Sequence, residues 1–142
     1  MNYVNSSVLA AWVLDQPLGK VFVSAVEEGE PHTLDLAQVE LARALERARI
    51  AGQLSDEEFA SKVRVASNLF DGIAVIRTND AIIAHARTPF GLPVRALDAL
   101  HVAAAEWLAE RLGGAALKFM TQDRRQAQAA LARGLDVHGG KE

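Results

Sequence analysis

Four polar residues occupy positions that the surrounding hydrophobic pattern does not explain: Asn5, Glu40, Asp98 and Asp123. Asp98 is the most informative. It lies in Ala96-Leu97-Asp98-Ala99-Leu100-His101-Val102-Ala103-Ala104-Ala105, a stretch apolar nearly all round, and its i+3 and i+4 neighbours are His101 and Val102, so no Lys or Arg follows to pair with it. An unpaired carboxylate in a buried helix costs several kcal/mol or shifts its pKa sharply, so it needs free N–H groups or a cation. Glu40 shares a helical row with Leu36 and Ala44, close to an apolar stripe, although Arg43 at i+3 also offers it a surface ion pair. Asp123 follows the apolar Phe119-Met120, and taken alone it reads first as the N-cap of a capping box with Gln126. Asn5, after Tyr3-Val4, reads as a turn or N-cap residue. Together these are three acids and an amide from four separate segments. Carboxylates gathered in one pocket repel unless protons or hard cations neutralise them, and oxygen-only donors suit Mg²⁺ or Mn²⁺. Such ions polarise a phosphodiester, acidify a bound water and stabilise the leaving oxygen, so the implied chemistry is metal-assisted phosphodiester hydrolysis. Asp35 and Asp80 read as helix caps. His85 and His101 read as hydrogen-bonded core or flanking residues, because neither has a second His at ligand spacing.

The elements that must position these residues alternate between short β-type runs and longer helical ones. Strands are expected at Tyr3-Val4-Asn5, His32 to Asp35, Ile73 to Ile76, Leu117 to Met120 and Leu135 to Val137. Between them, helices are expected from Ser7 to Leu14, Pro17 to Glu28, Leu34 to Ile50, Ser55 to Phe70, Asp80 to Arg87, Leu97 to Leu112 and Asp123 to Arg133. Ser55 followed by Asp56, Glu57 and Glu58 predicts a capping box, Gly113-Gly114 a helix stop, residues 88–93 an irregular stretch, and Gly139 to Glu142 a frayed tail. Strands alternating with helices imply right-handed crossovers and a largely parallel sheet covered on both faces. Ligands of such sheets sit beyond the carboxyl ends of the strands, and each of the four polar residues falls just after a strand or in a helix that begins near a strand's end.

Composition narrows the function classes. The chain has 142 residues, with 15 Lys+Arg against 18 Asp+Glu and a formal charge of −3, which argues against a broad cationic nucleic-acid surface but allows a local site where metal carries the positive charge. Hydrophobic residues make up 50%, enough for one domain over residues 1–142 without staples. The absence of cysteine excludes disulfides and Cys-ligated metal. No apolar run approaches a bilayer span and the N-terminus lacks a signal-peptide pattern, so a cytoplasmic protein without membrane contact is the expectation. Trp12, Phe22 and the alanine-rich helices are candidates for either core packing or a dimer face. Arg95 and Arg124 flank the acids and are expected to meet phosphates, with Arg125 and Arg133 as further candidates; Arg43, Arg47, Arg49 and Arg111 read as solvated or surface-paired.

Taken in order, these segments resemble the PIN domain, and within it the VapC-type toxins of bacterial type II toxin–antitoxin pairs. The resemblance runs from Tyr3 to Val137. Glu40-Leu41-Ala42-Arg43-Ala44-Leu45 matches the family's Glu-x-x-x-Ala-Leu, Leu97 to Ala105 its Leu-Asp-Ala-Leu-His run, and Thr121-Gln122-Asp123 its Thr-x-Asp. The resemblance implies a three-layer α/β/α sandwich with a central parallel sheet and Mg²⁺- or Mn²⁺-dependent endoribonuclease activity on structured RNA such as tRNA or rRNA. It also implies a homodimer and a cognate antitoxin that occludes the site. Glu40, Asp98 and Asp123 would then hold metal, directly or through water. Asn5 stands where the family has Asp, with Ser6 or Ser7 at the adjacent polar position (Ser7 as the helix cap), and Ser6 and Thr121 near the substrate. An amide keeps one acceptor oxygen but loses a full charge, so metal affinity should fall. Either an Asp→Asn change made to suppress toxicity or a naturally weakened site would produce this pattern. Two alternatives are a non-catalytic PIN-like module that binds an antitoxin or RNA, and an acid-cluster phosphatase for small phosphoesters.

Overall fold

The structure, a computed structural model, describes residues 1–113 and 116–140. Strands β1 (Asn2–Val4), β2 (Pro31–Leu34), β3 (Ala74–Ile76), β4 (Lys118–Met120) and β5 (Asp136–His138) form one five-stranded sheet in the order β3-β2-β1-β4-β5, every pair parallel. Around it are α1 (Ser6–Val13), α2 (Lys20–Glu28), α3 (Leu36–Ile50), α4 (Asp56–Gly72), α5 (Asp80–Arg87), α6 (Ala96–Arg111) and α7 (Arg124–Ala132). This is the expected α/β/α sandwich.

The two-residue period of the strands builds its two cores. In β1 and β4, Tyr3 pairs with Phe119 and Val4 with Met120. Tyr3 and Phe119 stack at 5.3 Å on one face, among buried residues of α5, α6 and α7. Val4 and Met120 point to the other face, where Val8, Leu9, Phe22, Leu41, Leu45 and Leu69 of α1 to α4 cover them. Helix α6 is apolar nearly all round through its middle and accordingly buries Ala99, Val102, Ala103, Ala104, Ala105 and Leu108. Those alanines and Phe22, which packs against Trp12 at 5.2 Å, are spent on the interior rather than on an exposed dimer face.

Local chemistry sets the boundaries. Asn5 leaves the sheet to cap α1, so β1 ends one residue before the expected limit. Ser55 and Glu58 form the expected capping box. The helix expected from Pro17 opens instead as a single tight turn, Pro17–Gly19, before α2. There Gly19 lies so close to α1 that a Cβ would sit 2.8 Å from the Trp12 Cα. Asp35 stands at the start of α3 but does not cap it: its carboxylate accepts from the Thr78 N–H at 3.1 Å and the Thr78 hydroxyl at 2.6 Å, tying β2 to the loop after β3. Asn79, not Asp80, caps α5, accepting from the Ile82 N–H at 2.9 Å. Gly139 is packed rather than frayed, with φ +94° and so little room that a Cβ would meet the Thr121 carbonyl. Gly114, Lys141 and Glu142 of the expected stop and tail lie outside the described residues.

Arg133, proposed from sequence as a phosphate contact, is a structural clamp. Its guanidinium donates to Glu106 at 2.5 Å and to the carbonyls of His85 at 3.0 Å and Thr88 at 2.8 Å, and it lies 3.8 Å over the Phe90 ring. It fixes the end of α7 to the α5–α6 connection. No single helix among the described residues is long and apolar enough to cross a membrane.

Candidate active site

From β1 the chain winds outward through β2 and β3, then returns to place β4 on the other side of β1. The β1/β4 junction is therefore the switch point, where two adjacent strands send their following segments to opposite sides and open a crevice. Asn5 follows β1 and Asp123 follows β4, so both emerge there. A cavity of about 460 Å³ opens at this point, lined by Asn5, Ser6, Glu40, Asp98 and Asp123. The four residues singled out from sequence thus share one wall-to-wall space.

Each is held by identifiable contacts. Helix α3 turns one face to the cavity, presenting Leu36, Glu40, Arg43, Ala44 and Arg47. Glu40 does not pair with Arg43, which bonds Glu46 at 2.7 Å. Its Oε2 instead accepts from the Ser6 hydroxyl at 3.0 Å, and its Oε1 lies 2.5 Å from Nε2 of buried His101. Nδ1 of His101 lies 2.6 Å from the Tyr3 hydroxyl. Burial, and after it the charge of Glu40, pushes the Tyr3 phenol well above its ordinary pKa, so it keeps its proton. With the Nε2–H donating to the Glu40 carboxylate, the neutral imidazole takes the phenol's O–H at Nδ1. Tyr3, His101, Glu40 and Ser6 form a line from the core to the cavity.

The Asn5 amide is equally tied. Its oxygen accepts from the Ser6 N–H at 2.8 Å, and its NH₂ donates to Ser7 Oγ at 3.1 Å and Thr121 Oγ1 at 3.3 Å. Asn5 rather than Ser7 is therefore the cap of α1, while Ser7 accepts from the Gln122 N–H at 3.0 Å. Thr121 is fully buried and also accepts from the Asp123 N–H at 3.0 Å, so it orients Asn5 and Asp123 instead of facing a substrate.

Asp123 caps α7 through Oδ1, accepting from Arg125 N–H at 2.8 Å and Gln126 N–H at 3.2 Å. The reciprocal arm of the expected capping box is missing, because Thr121 has taken the Asp123 N–H. Gln126, fully buried, reaches the other way and donates from Nε2 to Asp98 Oδ1 at 3.3 Å. One residue thus touches both acids, its backbone on Asp123 and its side chain on Asp98. Its own Oε1 has no hydrogen-bond partner among the described residues. Asp98 lies in the first turn of α6, only half-buried rather than enclosed. Burial raises its pKa above the ordinary carboxylate range and Asp123 adds to the rise; His101 opposes it, and Glu40 and Arg95 add smaller contributions up and down.

Three acids on one cavity suit a cation, but their geometry limits how one is held. No three His, Asp or Glu side chains among the described residues form a metal-holding group. Both Glu40 oxygens are engaged, and the Asn5 oxygen faces a backbone N–H, so the four-residue ligand set is not assembled. What remains is an oxygen pair, Asp98 and Asp123. Such a pair is the kind of donor set a hard divalent cation takes when it keeps most of its waters.

Neither expected phosphate contact lines the acid cavity: Arg95 borders an adjoining hollow that shares Asp98, and Arg124 faces a third with Leu131, Asp136 and Gly139. Sequence reasoning missed Arg43 and Arg47 at the cavity rim, although they lie at i+3 and i+7 from Glu40. It gave His101 and Gln126 only structural parts, although each stands at i+3 from an acid.

The all-parallel three-layer fold with acids at its switch point defines a nuclease-like class of domain. The chain matches the PIN domain over residues 3–132 and belongs to that family. No curated protein matches it.

Proposed function

We propose that this chain is the toxin of a type II toxin–antitoxin pair, a VapC-like endoribonuclease that cuts structured RNA with Mg²⁺ or Mn²⁺ and is impaired by Asn5. The observation that carries the reading is the convergence of Glu40, Asp98 and Asp123 on one cavity at the β1/β4 switch point. Asp98 and Asp123 would hold the cation, which when bound supplies an acidified water and charge neutralisation at the scissile phosphate. Gln126 keeps those two carboxylates in register. Glu40, fixed by His101 and Ser6, presents a carboxylate that orients a water. Arg43 and Arg47 at the rim meet the phosphates. Asn5 withholds a negative charge from this set, so divalent affinity falls and the water is less well placed. A cognate antitoxin and a homodimer are part of this reading, and an antitoxin guanidinium suits the Asp98–Asp123 oxygens.

Restoring Asn5→Asp is expected to yield RNA cleavage that requires Mg²⁺ or Mn²⁺ and is lost on adding Asp98→Asn. Cleavage that stays absent, or that survives Asp98→Asn, overturns the nuclease reading. The fully hydrogen-bonded Asn5 amide favours a second reading, a non-catalytic module that binds an antitoxin or RNA. That reading predicts RNA binding unchanged by chelation and no activity after restoration.

A further inference from the structure

A second cavity of about 540 Å³ abuts the acid site and shares Asp98 with it. Its walls are Leu92, Pro93, Val94 and Arg95 from the α5–α6 connection and Arg125 and Gln128 from α7. Arg95 and Arg125 are exposed, and among the described residues neither guanidinium has an ion-pair partner. By contrast, Arg43, Arg49 and Arg133 are paired with Glu46, Asp56 and Glu106. Arg95 also stands at the start of α6 without a side-chain cap, so the first-turn N–H groups add positive potential on the same side. The acids are therefore flanked by arginines on both sides: Arg43 and Arg47 across the first cavity, Arg95 and Arg125 across the second.

A small phosphoester would need only one of these pairs. A chain of phosphates running past the acids needs both. We propose that the Arg95–Arg125 cavity is an extended subsite that holds the phosphodiester backbone of an RNA strand on one side of the scissile bond, making the substrate a polynucleotide threaded through two adjoining cavities. This rests on the nuclease reading above. Arg124 supplies an internal control, since it carries the same charge on the same helix but faces the separate hollow beside Asp136.

The test is fluorescence anisotropy with labelled RNA in the Asn5→Asp, Asp98→Asn background, which binds without cutting. Two probes are used, a dinucleotide and an oligoribonucleotide long enough to cross both cavities. Arg95→Gln with Arg125→Gln is expected to weaken oligonucleotide binding about tenfold or more and to flatten the log–log salt slope by about 1.4, for two lost phosphate contacts on a single strand. Dinucleotide binding and the Arg124→Gln variant should match the parent. Oligonucleotide affinity and slope that do not change, or an equal loss in Arg124→Gln, overturn the subsite. Cleavage by Asn5→Asp alone then shows whether the nuclease reading survives without it.

Discussion

His101 Nε2 lies 2.5 Å from Glu40 Oε1, joining a buried imidazole on α6 to a cavity carboxylate on α3, with the Tyr3 hydroxyl of β1 on the opposite ring nitrogen. Three layers of the fold therefore meet in one hydrogen-bonded line. Tyr3→Phe leaves His101 Nδ1 buried without its hydrogen-bond partner, at an expected cost of about 1–3 kcal/mol. His101→Leu strips both neighbours and costs more. Urea unfolding of the two single variants and the double variant should give a coupling of about 0.5–3 kcal/mol. Additive effects would show that the line carries no shared energy.

Asp98 gives a pH-dependent prediction. Its folded pKa is raised, chiefly by burial and then by Asp123. The folded state thus binds the proton more tightly than the unfolded chain does. This contribution stabilises the fold below the unfolded pKa and is lost as pH rises through the folded value. Asp98→Asn removes the charge, so it should raise Tm at neutral pH, and the gain should vanish in the acid range. Thermal melts across pH check this, and a Tm lowered at neutral pH would contradict it.

Asn5→Asp adds a carboxylate beside Glu40, with the Ser7 and Thr121 hydroxyls free to turn and donate to it. Without divalent ions the variant should melt below the parent. With Mn²⁺ at about a hundred times its Kd it should gain about 2.7 kcal/mol, reversed by chelator. The parent should gain less at the same concentration. Equal Mn²⁺ shifts in the two proteins would mean that position 5 does not govern the cation.

Arg133→Lys should not be conservative. A lysine cannot bond Glu106, His85 and Thr88 in one plane or lie flat on Phe90. The expected loss is about 1–3 kcal/mol, because a lysine keeps the charge beside Glu106 but leaves the His85 and Thr88 carbonyls short of a donor. Chemical denaturation reads it, and a cost below about 0.5 kcal/mol would place Arg133 with ordinary surface arginines.

The layers and the sheet direction were legible because hydrophobic period and turn residues report locally: Ile73 to Ile76 and the Ser55 box are self-contained signals. The acid positions were legible because Asp98 breaks an otherwise apolar helix. What the sequence left open lies in contacts across long separations. Nothing near Glu40 announces His101 sixty-one positions away. Gln126 forms a plausible capping box with Asp123, and only packing of α6 on α7 redirects its amide to Asp98. Asp35 reads as a cap for the same reason, until β3 brings Thr78 alongside it.

The central claim is that Asp98 and Asp123 serve one divalent ion. Anomalous scattering from Asn5→Asp crystals soaked in Mn²⁺ tests it most directly. The account predicts a peak between those two carboxylates, within reach of Glu40 through water and abolished by Asp98→Asn. A cavity without a peak, or a peak that ignores Asp98, would contradict it.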